Sequence, residues 1–311
     1  VTSDARPDVY LHSSWRSSST YVWSKFRERN ETCCYFEPLA EHLGCAAPAV
    51  LSGVSWSYAN HPPLSAPYRE EFLPLLLPEG GIRDFPEQSP YRQFRLDVCA
   101  SRPDLIKYFA ALSSHARGLD RIPVFGLVRT ALKVRWFRTA IAGVHLYVMR
   151  NPRMQFLSLL HQSEKGTPYF LERPMVILGC NRDDPVLAPA CEHLLLPPFE
   201  GPPSECEAFY MRYARQAGME ANYAAFHYLH LAAKSQLNGF DDCVIDVDAI
   251  AVSEVARSDA ERRVARLTGF DLSFADCRPE RYDSYLGGPK AGDFFTPIEA
   301  AMTALFAKTV C

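Results

Sequence analysis

Residues 8–30 read DVYLHSSWRSSSTYVWSKFRERN. Val9–Leu11 is an apolar run that predicts a short buried strand, and the residues after Thr20 suit a helix. Between them stand Arg16, Ser17, Ser18, Ser19 and Thr20. A strand that ends in small hydroxylated residues and then opens a helix is an anion cradle. Its first backbone N–H groups point outward, the helix dipole favours negative charge, and the hydroxyls add donors. Arg16 adds a permanent charge with forked, planar donors. The spacing points to a phosphate or sulfate held at the first strand–helix junction. An ATPase P-loop is excluded in its usual form. That motif needs G-x-x-x-x-G-K-[ST], whereas no Gly occurs before Gly44 and Arg16 precedes the hydroxyls.

A second stretch, VHLYVMRNPRMQFLSLLH over 144–161, repeats the grammar. Val144–Met149 predicts a buried strand, Pro152 a turn or first helical position, and Met154–Leu160 a helix. Arg150 lies at the strand's carboxyl end and Ser158 follows eight residues later. An Arg so placed can meet a phosphate with two parallel N–H donors, and a Ser two turns into the next helix can share it.

The order basic–Ser–small–Ser–Thr resembles the 5′-phosphosulfate loop of sulfotransferases, which use 3′-phosphoadenosine 5′-phosphosulfate (PAPS). The family form is Lys/Arg-[ST]-Gly-[ST]-Thr, with Ser18 standing here where Gly is common. The Arg-x-Pro…Ser arrangement also resembles that family, which implies that Arg150 and Ser158 hold the nucleotide 3′-phosphate. Arg16, with groups from Ser17 to Tyr21, is then expected to stabilise the leaving phosphate. Arg129-Thr130, after a strand over 124–128, looks like the family's Lys-Thr, but no His follows within the next three residues. Near the C-terminus, Leu286–Phe294 bears Gly287, Gly288, Lys290 and Gly292. The family often closes such a loop over the nucleotide, which makes Lys290 a candidate 3′-phosphate contact.

Sulfuryl transfer needs a base for the acceptor's proton. Glu37 follows Arg16 by 21 residues, after a helix and the apolar run Cys33–Phe36. Carbohydrate sulfotransferases have a Glu base at a similar remove, so Glu37 is the first candidate. Glu41 and His42 come next, and His61, His115 and His161 stay open. The expected product is PAP, the acceptor a hydroxyl of a glycan, glycolipid or small metabolite. No metal is expected, because the leaving group needs none. Two other readings stay open: a divergent P-loop kinase, and a nucleotide-binding pseudoenzyme without turnover.

The elements that must position these residues alternate between strand and helix. Strands are predicted at 8–12, 33–36, 124–128, 144–149, 175–179 and 243–247. Helices are predicted at 19–29, 104–115, 130–141, 153–162, 205–236 with a break near Gly218, 254–267 and 297–308. The alternation implies an α/β fold with a mainly parallel central sheet, and the resemblance implies the P-loop-like sulfotransferase version over one domain, 1–311. Residues 45–92 carry eight Pro and several aromatics. Such Pro density leaves few regular elements and suits an acceptor-side lid or loop insertion. The basic segment Arg129–Arg138 reads either as a solvated helix face or as a contact for an anionic acceptor.

With 311 residues, 48% hydrophobic and a net charge of −3, the chain is globular in composition, and nonspecific nucleic-acid binding is not implied. Its ten Cys include no C-x-x-C pair, which argues against a zinc ribbon. Free thiols in apolar runs, with no signal peptide and no 18-residue apolar stretch, lead to the expectation of a reduced, cytoplasmic protein without an integral membrane segment. The chain starts at Val1 rather than Met, so a trimmed leader or anchor stays open. A monomer and an oligomer are equally compatible with the sequence.

Overall fold

The computed structural model describes residues 6–52, 66–86, 91–278 and 291–310. In chain order the regular elements are β1 (Val9–His12), α1 (Ser19–Arg27), β2 (Thr32–Phe36), α2 (Pro48–Leu51), α3 (Pro103–Gly118), β3 (Ile122–Leu127), α4 (Val134–Ala140) and β4 (Val144–Met149). They continue with α5 (Pro152–Glu164), α6 (Tyr169–Cys180), α7 (Ala188–His193), α8 (Cys206–Gln216), α9 (Met219–Ser235), β5 (Val244–Asp246), α10 (Val247–Val252), α11 (Glu254–Thr268) and α12 (Ala291–Val310). Short 3₁₀ turns cover Glu41–Cys45, Glu70–Leu75, Pro203–Glu205 and Asp241–Cys243. Two compact units result. One comprises Val1–Pro90, Leu96–Arg150 and Gly239–Pro279, the other Tyr91–Arg95, Asn151–Asn238 and Glu280–Cys311.

The first unit holds a five-stranded sheet in the order β2-β3-β1-β4-β5, and every pairing is parallel. Parallel strands are buried on both faces, so side chains alternate between two apolar layers rather than between core and water. Val9, Leu11, Cys34, Phe36, Val124, Leu146 and Val148 face a core shared with Val22, Trp23 and Phe26 of α1 and with α10 and α11. Tyr10, Cys33, Tyr35, Phe125 and Leu127 face the opposite core, built with α3 and with Trp136 and Phe137 of α4. The all-parallel sheet agrees with the sequence reading. β3 begins two residues earlier than expected, taking in Pro123 near its start, where the lost N–H is tolerated.

Tyr68 and Phe72, from the Pro-rich stretch, pack into these two cores; Tyr68 stacks on Trp23 at 5.9 Å between ring centroids. Residues 53–65 and 87–90 of that stretch lie outside the described residues, as do His61 and Lys290.

The second unit is helical. Phe156, Leu159, Tyr223, Phe226 and Phe295 form its core from α5, α9 and α12. Helices α8 and α9 meet at Gly218, where the sequence reading placed the break. The predicted strand over 175–179 is corrected: these residues belong to α6. Every residue from Glu172 to Gly179 is buried, so the helix shows no polar face. A short all-apolar run cannot be told from a strand by periodicity. The helix expected at 130–141 starts only at Val134, because Arg129–Lys133 form a turn closed by Lys133 N–H to Thr130 O at 2.8 Å. No helix among the described residues is long and apolar enough to cross a membrane.

Gly143 turns the chain into β4 with φ +149°, and a Cβ there would lie 2.6 Å from Tyr10 Cε2 and 2.8 Å from the Asp8 carbonyl oxygen. The same carbonyl accepts Val144 N–H at 2.8 Å, so it cannot retreat without opening the sheet. Gly143→Ala is therefore expected to lower stability by ~1–3 kcal/mol, read as a fall in the urea midpoint. An unchanged midpoint would contradict this packing.

Candidate functional site

In an open α/β sheet, ligands bind beyond the carboxyl ends of the strands, where the strand order reverses. Here that point lies between β1, whose connection leads toward β2, and β4, whose partner on the other side is β5. The residues leaving β1 form the serine loop. Ser13 N–H donates to Leu127 O at 2.9 Å and prolongs the ladder by one residue. Ser17 Oγ then donates to Ser14 O at 2.9 Å. Arg16 and Ser18 both take left-handed backbone, with φ 61° and 62°. Ser18 thus makes the tight turn at the position where Gly is usual.

Ser18 is the N-cap of α1, but its hydroxyl makes no capping bond. Its carbonyl accepts Tyr21 N–H at 3.1 Å. The first amides of the helix have no intrahelical acceptor. Among the described residues, no hydrogen bond involves the hydroxyls of Ser18, Ser19 or Thr20. Tyr21 differs from its neighbours: its amide is engaged within the helix, and its hydroxyl donates to Asp276 at 2.7 Å. The donors open to an anion therefore come from Ser18, Ser19 and Thr20.

β4 delivers Arg150 to the same place. Its guanidinium is buried, with Nε 3.3 Å from Asp248 Oδ1 and Nη1 3.5 Å from the carbonyl oxygen of Arg16. Arg16 and Arg150, 134 positions apart in sequence, are thus neighbours. Ser158 lies in the other unit and is fully buried on α5. Its pairing with Arg150 rests on the motif resemblance alone.

β2 ends at Phe36, and Glu37 turns away with φ 47° while its N–H still donates to Gly126 O at 2.9 Å. Arg129 Nη1 donates to Glu37 Oε2 at 2.7 Å, and Nη2 to Glu41 Oε2 at 2.8 Å. The Arg129 guanidinium also faces the Trp15 ring at 5.5 Å, one residue before Arg16. The structure therefore brings Glu37, Glu41, Arg129 and the serine loop to one edge. His42 adjoins them. Burial, then the charge of Arg69, pushes its pKa down to about 4, against the opposing pull of Glu37 and Glu41. His115 is engaged elsewhere, with Tyr35 Oη at 3.0 Å. His161 lies in the last turn of α5 in the second unit.

Two features of this edge escape the motif reading. Lys133 is buried, and its pKa is lowered to about 7, first by burial and then by Arg102 and Arg129. The basic segment is thus not simply a solvated helix face, and a lysine that sheds its proton near neutrality is a further candidate base. The second is a buried polar chain. His12 Nδ1 lies 2.8 Å from Thr130 Oγ1, His12 Nε2 lies 2.9 Å from His145 Nδ1, and His145 Nε2 lies 3.0 Å from Ile141 O. A carbonyl only accepts, so His145 carries its proton on Nε2 and accepts at Nδ1. His12 therefore donates from Nε2 and accepts at Nδ1, where the single proton of the Thr130 hydroxyl is shared between His12 Nδ1 at 2.8 Å and Leu127 O at 3.1 Å. The signal for this chain was present in the sequence. His12 and His145 fall on the strand face that Tyr10 and Tyr147 also occupy, where a polar residue needs a partner.

Against protein-family models, curated proteins and solved structures, no match to this chain was found. The likeness to sulfotransferases rests on the residues named above.

Burial lowers the pKa of His145 to about 4 and that of His12 well below its ordinary value, the latter also through His145 and Arg138. Between pH 6.5 and 4 the unfolded chain therefore binds protons that the folded one refuses. Stability is expected to fall on acidification through that window, by up to ~1.4 kcal/mol per pH unit for each imidazole. His145→Gln should flatten the urea-midpoint profile over this range. A profile parallel to that of the unaltered protein would show that the pair does not control it.

Proposed function

We propose that the chain is a sulfotransferase that moves a sulfuryl group from PAPS to a hydroxyl of a carbohydrate, glycolipid or small metabolite and releases PAP. The observation that carries this reading is the turn after β1. Left-handed Arg16 and Ser18 present hydroxyls and first-turn amides at the switch point, and Arg150 arrives from β4 against the Arg16 carbonyl. This donor set suits a group with several anionic oxygens. PAPS, as the donor substrate, supplies the sulfuryl group. Arg16 and the donors of Ser18, Ser19 and Thr20 would stabilise the charge that grows on the departing phosphate. Arg150 would hold the 3′-phosphate, in exchange for its present contact with Asp248.

Glu37 is the proposed base. Arg129 fixes the carboxylate at the sheet edge by a 2.7 Å bond to Oε2, and Glu41 takes the second arm of the same guanidinium. Arg129 thereby acts as a positioning residue for the base rather than as a phosphate ligand. Positioning of this kind supplies much of the rate in transfers that demand in-line geometry.

Calorimetric titration with PAP, ADP and Mg·ATP tests the reading first. PAP is expected to bind much more tightly than ADP, and Arg150→Ala should remove most of that difference. A preference for Mg·ATP would replace sulfuryl transfer with kinase chemistry. Glu37→Gln is expected to lower kcat by ~10²–10⁴-fold with labelled PAPS; near-normal turnover would move the base to Glu41, His42 or Lys133.

A further inference from the structure

Arg173 lies near the start of α6 and is 4% exposed. A guanidinium keeps its charge at any pH at which a protein folds, so it cannot escape burial by losing a proton. Yet no carboxylate pairs with it among the described residues, and its buried Nε and Nη1 meet no hydrogen-bond acceptor there. The adjacent Glu172 does not serve, because both its oxygens are held by Arg215, at 2.5 and 3.3 Å.

What faces Arg173 is aromatic. Its Cζ lies 3.4 Å from the Tyr169 ring centroid and 4.5 Å from that of Tyr91, and the two tyrosine hydroxyls are 2.6 Å apart. Ring faces compensate part of the charge and fix the plane of the guanidinium, but they satisfy none of its in-plane N–H donors. The walls are held firmly. Asn181, at the end of α6, donates to Tyr91 O at 2.6 Å and accepts Phe94 N–H at 3.0 Å. Arg95 donates from Nε to both oxygens of Asp184 at 2.8 Å. The segment that carries Tyr91 is thus fastened to the helix that carries Arg173. Tyr169 itself is only partly buried.

The same helical hairpin holds a second orphan. Gln162 is fully buried on α5, and neither its amide nitrogen nor its amide oxygen has a partner among the described residues. It lies two residues before the end of α5, and Arg173 lies four residues after the start of α6. Each is therefore within about 6 Å of helix rise from the connecting turn.

We propose that Arg173, walled by Tyr91 and Tyr169, is an oxyanion-binding site in the helical unit, one that takes a carboxylate, sulfate or phosphate group. The flat fork of an arginine matches two oxygens of such a group through parallel, charge-assisted N–H bonds. The fixed tyrosine walls leave the edge of that fork as its means of contact. This site is built from residues of one unit and does not depend on the sulfotransferase reading.

The test uses the full chain at constant ionic strength, titrated calorimetrically with sodium sulfate, phosphate and acetate, with chloride as the balancing salt. An Arg16→Ala/Arg150→Ala variant removes the serine-loop cations. Saturable binding of at least one oxyanion is expected to survive in that variant and to weaken at least tenfold in Arg173→Gln. Acetate binding alone would identify a carboxylate site; sulfate and phosphate binding would identify a tetrahedral one. Should Arg173→Gln fail to fold, arginine Nε–H resonances of the unaltered protein give the second readout, with Arg173 assigned through Arg173→Lys. That resonance is expected to shift on saturation with the anion. Undiminished binding by Arg173→Gln, no oxyanion binding by the unaltered protein, or an Nε–H resonance that ignores the anion would each overturn the proposal. If PAP fails to bind while the Arg173 response persists, the sulfotransferase reading falls and this site stands.

Discussion

The parallel pairing of β1 on both sides is the constraint from which the candidate site follows. β1 runs between β3 and β4, and its four residues are all buried. Parallel strands share one direction, so their carboxyl ends share one edge. The serine loop, Glu37, Arg129 and Arg150 all emerge there, although they are spread over more than a hundred residues of sequence. With its ladder bonds occupied on both sides, β1 cannot shift to relieve the loop that leaves it. Arg16, Ser18 and Glu37 hold left-handed backbone at this edge, each at a cost of ~1–3 kcal/mol. Such backbone persists where the surrounding structure imposes it, and here the sheet does so.

The electrostatics of the edge follow from Arg129. Its charge is divided between Glu37 and Glu41, and its face meets Trp15, so one guanidinium joins the residues after β1 to those after β2. Burial, and then the charges of Arg102 and Arg129, lowers the pKa of Lys133, at the end of the same turn. The hydrogen-bonded chain from Thr130 through His12 and His145 to Ile141 ties the Arg129 turn to β1 and β4.

Much of this edge was legible in the sequence, and the reasons differ by element. Both anion motifs follow short apolar runs that can only be buried strands in a chain with alternating helices, so β1 and β4 fell within a residue of their expected places. The break at Gly218 was legible because Gly ends helices for local reasons. The 175–179 run was not, since it is apolar at every position and buried throughout, so its identity is set by tertiary packing. The ion pairs of Arg129 were also beyond reach. A basic residue beside Thr130 reads alike whether it meets a phosphate or two carboxylates 88 and 92 positions away. Arg173 carries no signal in the sequence, because its significance comes from the acceptors it lacks among the described residues.

The position of the helical unit in the chain bears on how the sheet is completed. β4 ends at Met149 and its neighbour β5 begins at Val244, so residues 150–243, most of the second unit, intervene between two adjacent strands. For an unstructured connection of that length, joining the ends would cost about 4 kcal/mol in chain entropy. Three residues of β5 return little against that. Prior folding of the inserted helices would shorten the effective loop, which makes β5 a late arrival in assembly. The four-stranded sheet β2-β3-β1-β4 would then exist with an exposed margin until the insertion has folded, a state in which unpaired strand edges invite association between chains.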